Sequence, residues 1–227
     1  MKDLDSPERI EDYERGGKTT NENNSGKALR QWEIDAKIAR IVNRIFTEST
    51  GNFVFIYKRG THFPYEKNYP ESEAPWQPVY HFQFQYEIPP FDQVQGIINS
   101  YDNAIRYNLD DFFKKLAPDY STLPNNTIIV YTSDHGESFF ANGKAGHGGI
   151  TREEAMVPLF ILGLKDRQVD TRFKASHASI FTALLDLMNY PPEMRRYPYQ
   201  MSLFDGTEST PMQRFYNPPA GRKYAFD

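Results

Sequence analysis

Thr127-Ile128-Ile129-Val130-Tyr131-Thr132-Ser133-Asp134-His135-Gly136-Glu137 decides how this chain is read. Its first six residues, reached after Pro118 and Pro124, are a β-branched and aromatic run that suits a buried strand. The apolar run then stops at Ser133-Asp134-His135, and Gly136 lets the backbone pass close to a bound group. In parallel α/β sheets, ligands sit just beyond the carboxyl ends of the strands. At that place Asp134 offers carboxylate oxygen and His135 offers imidazole nitrogen, a donor mix that suits zinc. The competing reading makes Asp134 a helix cap and His135 a surface residue. The strand-end setting favours the metal reading.

Two further histidines have a comparable setting. His147 lies in Lys144-Ala145-Gly146-His147-Gly148-Gly149, where the glycines permit close approach to a ligand. An ordinary surface loop accounts for the same residues. His62 lies in Gly60-Thr61-His62-Phe63-Pro64-Tyr65, after the short apolar run Asn52-Phe53-Val54-Phe55-Ile56-Tyr57. It repeats the order of strand and then histidine. His81 reads as loop packing and His177 as the start of a helix. Three imidazoles and a carboxylate at one sheet edge imply a zinc site for an anionic substrate. Such sites act by Lewis-acid polarisation and by activating a nucleophile. In phosphoryl transfer, catalysis is mainly positioning and charge stabilisation.

Outward from these loops, residues 28–48 carry Leu29, Trp32, Ile34, Ile38, Ile41, Val42, Ile45 and Phe46 at three- and four-residue steps, predicting an amphipathic helix. Residues 58–90 form a long loop dense in Pro and aromatics. Helical spacing returns over 91–116 through Val94, Ile97, Ile98, Tyr101, Ile105, Leu109, Phe112 and Phe113. A second apolar strand is expected at 157–164 and a helix at 176–188. This order of elements implies an α/β fold, a largely parallel sheet flanked by helices. Residues 1–27 read as a polar lead-in, 28–204 as the α/β domain and 205–227 as a surface tail.

Composition narrows the function class. The 227 residues carry 26 basic and 30 acidic side chains, a net charge of −4, which argues against nucleic acid as a partner. There is no Cys, so disulfides and thiolate metal sites are excluded. The longest apolar run, Val157 to Leu162, falls far short of the roughly 20 residues a membrane helix needs. The chain as given therefore reads as soluble. Aromatic residues make up 15% of it and offset a low aliphatic content in building a core.

Tyr131 to Ser138 with His147 downstream resembles the metal motif of the sulfatase-like membrane phosphoethanolamine transferases of the alkaline phosphatase superfamily. Gly60 to Pro70 is similar to that family's second histidine loop. Tyr101 to Ile105, Val157 to Phe160 and Phe181 to Leu187 are similar to the elements that complete the domain, so the resemblance covers roughly residues 28–204. It implies an alkaline-phosphatase-like fold, with Asp134 and His135 as zinc ligands and His62 and His147 as ligands of the substrate phosphate or of a second zinc. It also implies a phospholipid donor, a lipid or glycan acceptor, and a place on the outer face of the cytoplasmic membrane or in the periplasm.

The family's Thr nucleophile and a further acidic ligand lie nearer the N-terminus, on earlier strands. Here Ser6, Thr19, Thr20 and Ser25 follow no apolar strand, so no nucleophile is identified. The chain is read as the C-terminal part of the catalytic domain, incomplete without its N-terminal half and inactive alone. An unpaired sheet edge then follows, with a tendency to associate. The expected function is zinc-dependent transfer of a phosphoethanolamine-like group. Alternatives are a sulfatase or glycerol-phosphate polymer synthase, or a zinc- and phosphate-binding module without catalysis.

Overall fold

A computed structural model describes residues 30–48, 50–83, 87–141, 143, 145–149, 151–195, 201–211, 214–216 and 224–226. The polar lead-in at 1–27, its four hydroxyl residues and Lys144 lie outside this set. The chain divides into two compact units, the described parts of Met1–Thr127 with Phe139–Gly146, and of Ile128–Ser138 with His147–Asp227.

The first unit is helical. Helix α1 (Gln31–Glu48) buries Asp35, Ile38, Ala39 and Val42, the three- and four-residue stripe expected of its sequence. It packs on α3 (Asp111–Leu116), and Asn43 Nδ2 donates to the Leu116 carbonyl at 2.9 Å, capping that helix. Helix α2 (Val94–Ile105) precedes α3, and the two are joined by a π-helical turn, Arg106–Asp110. The expected helix over 91–116 is thus one run with a short 3-10 start, Phe91–Gln93, and a widened turn inside.

The core of this unit is aromatic. Tyr65, Tyr69, Phe82, Ile97 and Ala104 are buried together, with Phe63, Tyr80, Tyr101 and Phe139 against them. Tyr65 meets Phe63, Phe82 and Tyr101 edge to face, at 5.6, 6.0 and 5.1 Å between ring centroids. The long loop lacks a ladder of its own, so α2 supplies partners for its backbone. Asn103 bonds both the N–H and the carbonyl of Trp76, Asn99 donates to the Pro78 carbonyl, and Ser100 accepts from the Tyr80 N–H. Those polar residues lie on the buried face of the helix because the loop crosses there.

The second unit holds β1 (Ile129–Thr132). Two short strands, β2 (Ser138–Phe139) and β3 (Ala145–Gly146), pair with each other. They are followed by a one-turn helix α4 (Arg152–Ala155), β4 (Leu159–Leu162) and helix α5 (His177–Leu187). Strand β1 pairs with β4 antiparallel, from Ile129 opposite Leu162 to Thr132 opposite Leu159, and Tyr131 stacks on Phe160 across the pair. Phe173, Ala183 and Leu203 form the core, with Leu159, Ile161 and Ile180 packed against it.

Two expectations change here. The pairing between the two predicted apolar strands is antiparallel, and among the described residues no parallel ladder stands beside it. The chain turns back through α4 before β4, which reverses the strand direction. Residues 52–57 are not a strand: no ladder pairs them, and Phe53, Phe55 and Tyr57 are 55, 79 and 75% exposed. Within the C-terminal tail, β5 (Arg214–Tyr216) and β6 (Tyr224–Phe226) pair antiparallel.

Candidate metal centre

Beyond Thr132 the chain leaves β1 and is held by three main-chain ties. His177, the first residue of α5, donates through Nε2 to the Ser133 carbonyl at 2.8 Å. Ser133 Oγ donates to the His135 carbonyl at 2.7 Å. The Gly136 N–H donates to the Glu154 carbonyl at 2.8 Å. Glycine is required at 136 by packing: a Cβ would lie 2.1 Å from the Glu153 carbonyl oxygen and 2.8 Å from that of Met156.

These ties aim the side chains. His135 Nδ1 lies 2.9 Å from the Gly136 carbonyl, so the Nδ1–H tautomer leaves the Nε2 lone pair as the ligand atom. His147 stacks beside it, with ring centroids 4.1 Å apart and planes tilted by 36°. Its Nδ1 sits 2.9 Å from Glu137 Oε1. That hydrogen bond raises the His147 pKa above its ordinary value, against the opposing effect of partial burial.

His135, Glu137 and His147 each offer one ligand atom, and all three atoms lie within 4.8 Å of one another. The carboxylate of Glu137 is 6% exposed, and its Oε2 is buried with no hydrogen-bond partner. An orphaned carboxylate oxygen beside two imidazoles fits a divalent cation, because an ion supplies the missing partner. Asp134 stands differently. Its side chain is 68% exposed, its Oδ1 accepts from the His135 N–H at 3.0 Å, and its Oδ2 is 3.9 Å from His135 Nε2.

The structure thus gathers His135 and His147 in one cluster, with Glu137 as the third member and Asp134 at its edge. Glu137 was visible in the quoted motif but had no assigned role. The signal for it was positional, two residues past His135 beyond a glycine turn. His177 is a helix start, as expected, and it also holds the metal loop. His81 is exposed.

His62 belongs to the first unit. Its Nδ1 lies 2.7 Å from the Phe63 carbonyl, and its own carbonyl accepts from Asn68 Nδ2. Asn108 Nδ2, on the π-helical turn, donates to the Asn68 carbonyl at 2.8 Å. The Asn108 carbonyl in turn accepts from Lys58 Nζ at 2.7 Å, and Lys58 pairs with the buried Asp35 at 3.0 Å. Burial lowers the Lys58 pKa. A buried polar chain therefore runs from α1 through the widened turn to the histidine loop.

Comparison with known proteins gives the family and the fold. Residues 13–190 match the family model described as Sulfatase. Phosphatidylethanolamine transferase Mcr-1 of Escherichia coli is 31% identical over 148 residues, which are 60% of this chain and 26% of that protein. Mcr-2 is 34% identical over 114 residues, 47% of this chain and 20% of that protein. The Kdo(2)-lipid A phosphoethanolamine 7''-transferase of E. coli K12 is 31% identical over 90 residues, 14% of its length. The chain thus spans about a quarter or less of these relatives. The C-terminal periplasmic domain of E. coli EptC, solved in complex with Zn, superposes with a TM-score of 0.62 at 20% identity. That match covers 85% of this chain and 56% of the EptC chain, and it establishes the fold as that of the EptC domain.

Proposed function

Because the chain belongs to the sulfatase family, we propose that it supplies the metal and phosphate side of a phosphoethanolamine-transferase site. The observation that carries this reading is the His135, Glu137 and His147 cluster with its orphaned carboxylate oxygen. In it, His135 and Glu137 hold zinc, His147 holds zinc or the substrate phosphate, and Asp134 joins from the cluster's edge. His62 serves the phosphate or a second ion from its own loop. Bound zinc supplies Lewis-acid polarisation and charge stabilisation. The protein's part is to fix the His135 tautomer through Gly136, orient His147 through Glu137, and keep both imidazoles at one spacing.

The substrates follow from the relatives: a phospholipid donor, and a lipid acceptor of the lipid A kind. The periplasmic setting of the EptC domain supports a place on the outer face of the cytoplasmic membrane. Among the described residues, no helix is long and apolar enough to cross a membrane. The alternative of a zinc- and phosphate-binding module has one observation in its favour. The hydroxyls beside the cluster, Thr132 and Ser133, both donate to main-chain carbonyls, so neither is poised to carry a phospho-group.

Zinc titration tests the site. His135→Ala should lower zinc affinity at least tenfold, an effect of the size seen when ligands or their supports are removed. His81→Ala, on an exposed residue away from the cluster, should leave affinity unchanged. Equal affinities in the two variants would sink the assignment. Assay of phosphoethanolamine release from phosphatidylethanolamine separates transferase from binding module: zinc binding without release favours the module.

A further inference from the structure

Glu154 is 1% exposed, yet it lies on a one-turn helix with no ligand role. Its side chain and main chain reach different loops. Carboxylate Oε2 accepts from the Gly149 N–H at 2.8 Å, two residues past His147. Its own carbonyl accepts from the Gly136 N–H at 2.8 Å, between His135 and Glu137. The other oxygen, Oε1, accepts from Thr151 Oγ1 at 3.1 Å, and that hydroxyl accepts the Glu154 N–H at 3.3 Å.

We infer that Glu154 is a positioning residue, a buried clamp that fixes the spacing between the His135–Glu137 loop and the His147 loop. The inference rests on the metal reading of that cluster. Capping alone does not require this arrangement. Thr151 already caps α4 by accepting the Glu154 N–H, and a capping glutamate on a surface turn keeps its charge in water. Here the charge is buried, which is tolerated because hydrogen bonds compensate it. The bond to Gly149 constrains the backbone of a loop whose Gly146 and Gly148 stand at φ of +107° and +95°. Close packing acts from the other side, where the Glu153 carbonyl leaves no room for a Cβ at position 136.

The test is a double-mutant cycle on zinc affinity, with zinc alone as the probe and the full chain as the protein. Glu154→Ala removes both acceptor oxygens and leaves the main-chain carbonyl that accepts from Gly136 in place. Zinc affinity should fall about tenfold, and the fall should vanish in the His147→Ala background, because the clamp acts through that ring. A fall of equal size in both backgrounds, or none in either, overturns the clamp while wild-type zinc binding leaves the metal reading intact. A wild type that binds no zinc overturns the metal reading and the clamp together. Hydrogen exchange in the metal-free wild type needs no variant and holds even where Glu154→Ala does not fold. The Gly149 and Gly136 amides should both be protected, and exchange of the Gly149 amide at the rate of an open loop overturns the clamp.

Discussion

At His147 one hydrogen bond moves a pKa. The Glu137 carboxylate raises the imidazole's folded pKa above 6.5. A raised folded pKa means that the pair's stabilisation is fully present below the unfolded value and is lost as pH rises through the folded one. Melting curves of metal-free wild type and Glu137→Gln, taken from about pH 5.5 to about pH 9, should therefore converge as pH rises. A gap that widens with pH would contradict the pairing. Next to Glu137, Gly136 is fixed by space. Gly136→Ala sets a Cβ against two carbonyl oxygens of a neighbouring backbone, which cannot yield as a side-chain tip would. The loss should be about 3 kcal/mol, the upper end of ordinary overpacking, and it is read by denaturant unfolding.

The elements show how a long loop becomes an ordered support. Residues 58–90 have few backbone bonds of their own, and Asn68, Asn99, Ser100, Asn103 and Asn108 replace them from buried positions. The π-helical turn carries Asn108, where its amide reaches both Asn68 and Ala104. Asn108→Ala should leave two buried carbonyls short of a donor and cost about 1–3 kcal/mol. Urea denaturation measures it, and a change under about 0.5 kcal/mol would show that the link is idle. Helical periodicity made α1, α2 and α5 legible in the sequence, since an apolar stripe at three- and four-residue steps is local information. The widened turn was not legible. Its cause is a partner 40 residues away, and Asn108 reads like any other polar residue in a helix.

For the molecule as a whole, the exposed residues matter. Phe53, Phe55 and Tyr57 stand in water as successive odd positions of an extended stretch, joined by Val54 at 36% exposure. A run of exposed apolar side chains is a template for association. Size-exclusion chromatography at rising concentration should show growing apparent mass, and Phe55→Asp should return the chain toward a monomer. A concentration-independent monomer in the wild type would remove this expectation.

The sequence by itself determined where the candidate site lies. An apolar strand ending in Ser133-Asp134-His135-Gly136-Glu137 is a local signal, because apolar run, turn and donor chemistry are written in consecutive residues. It also determined which stretches are helical, and it excluded thiolate chemistry. The tertiary structure decided what depends on the chain returning to itself. Strand composition does not state direction, so the antiparallel pairing of β1 with β4 emerges only from the path through α4. Adjacent carboxylates look alike in sequence, so the burial of Glu137 and the exposure of Asp134 appear only when the loop is folded. The reach of Glu154 to Gly149 and Gly136 is of the same kind, a set of hydrogen bonds whose partners the fold, and not the local sequence, brings within reach.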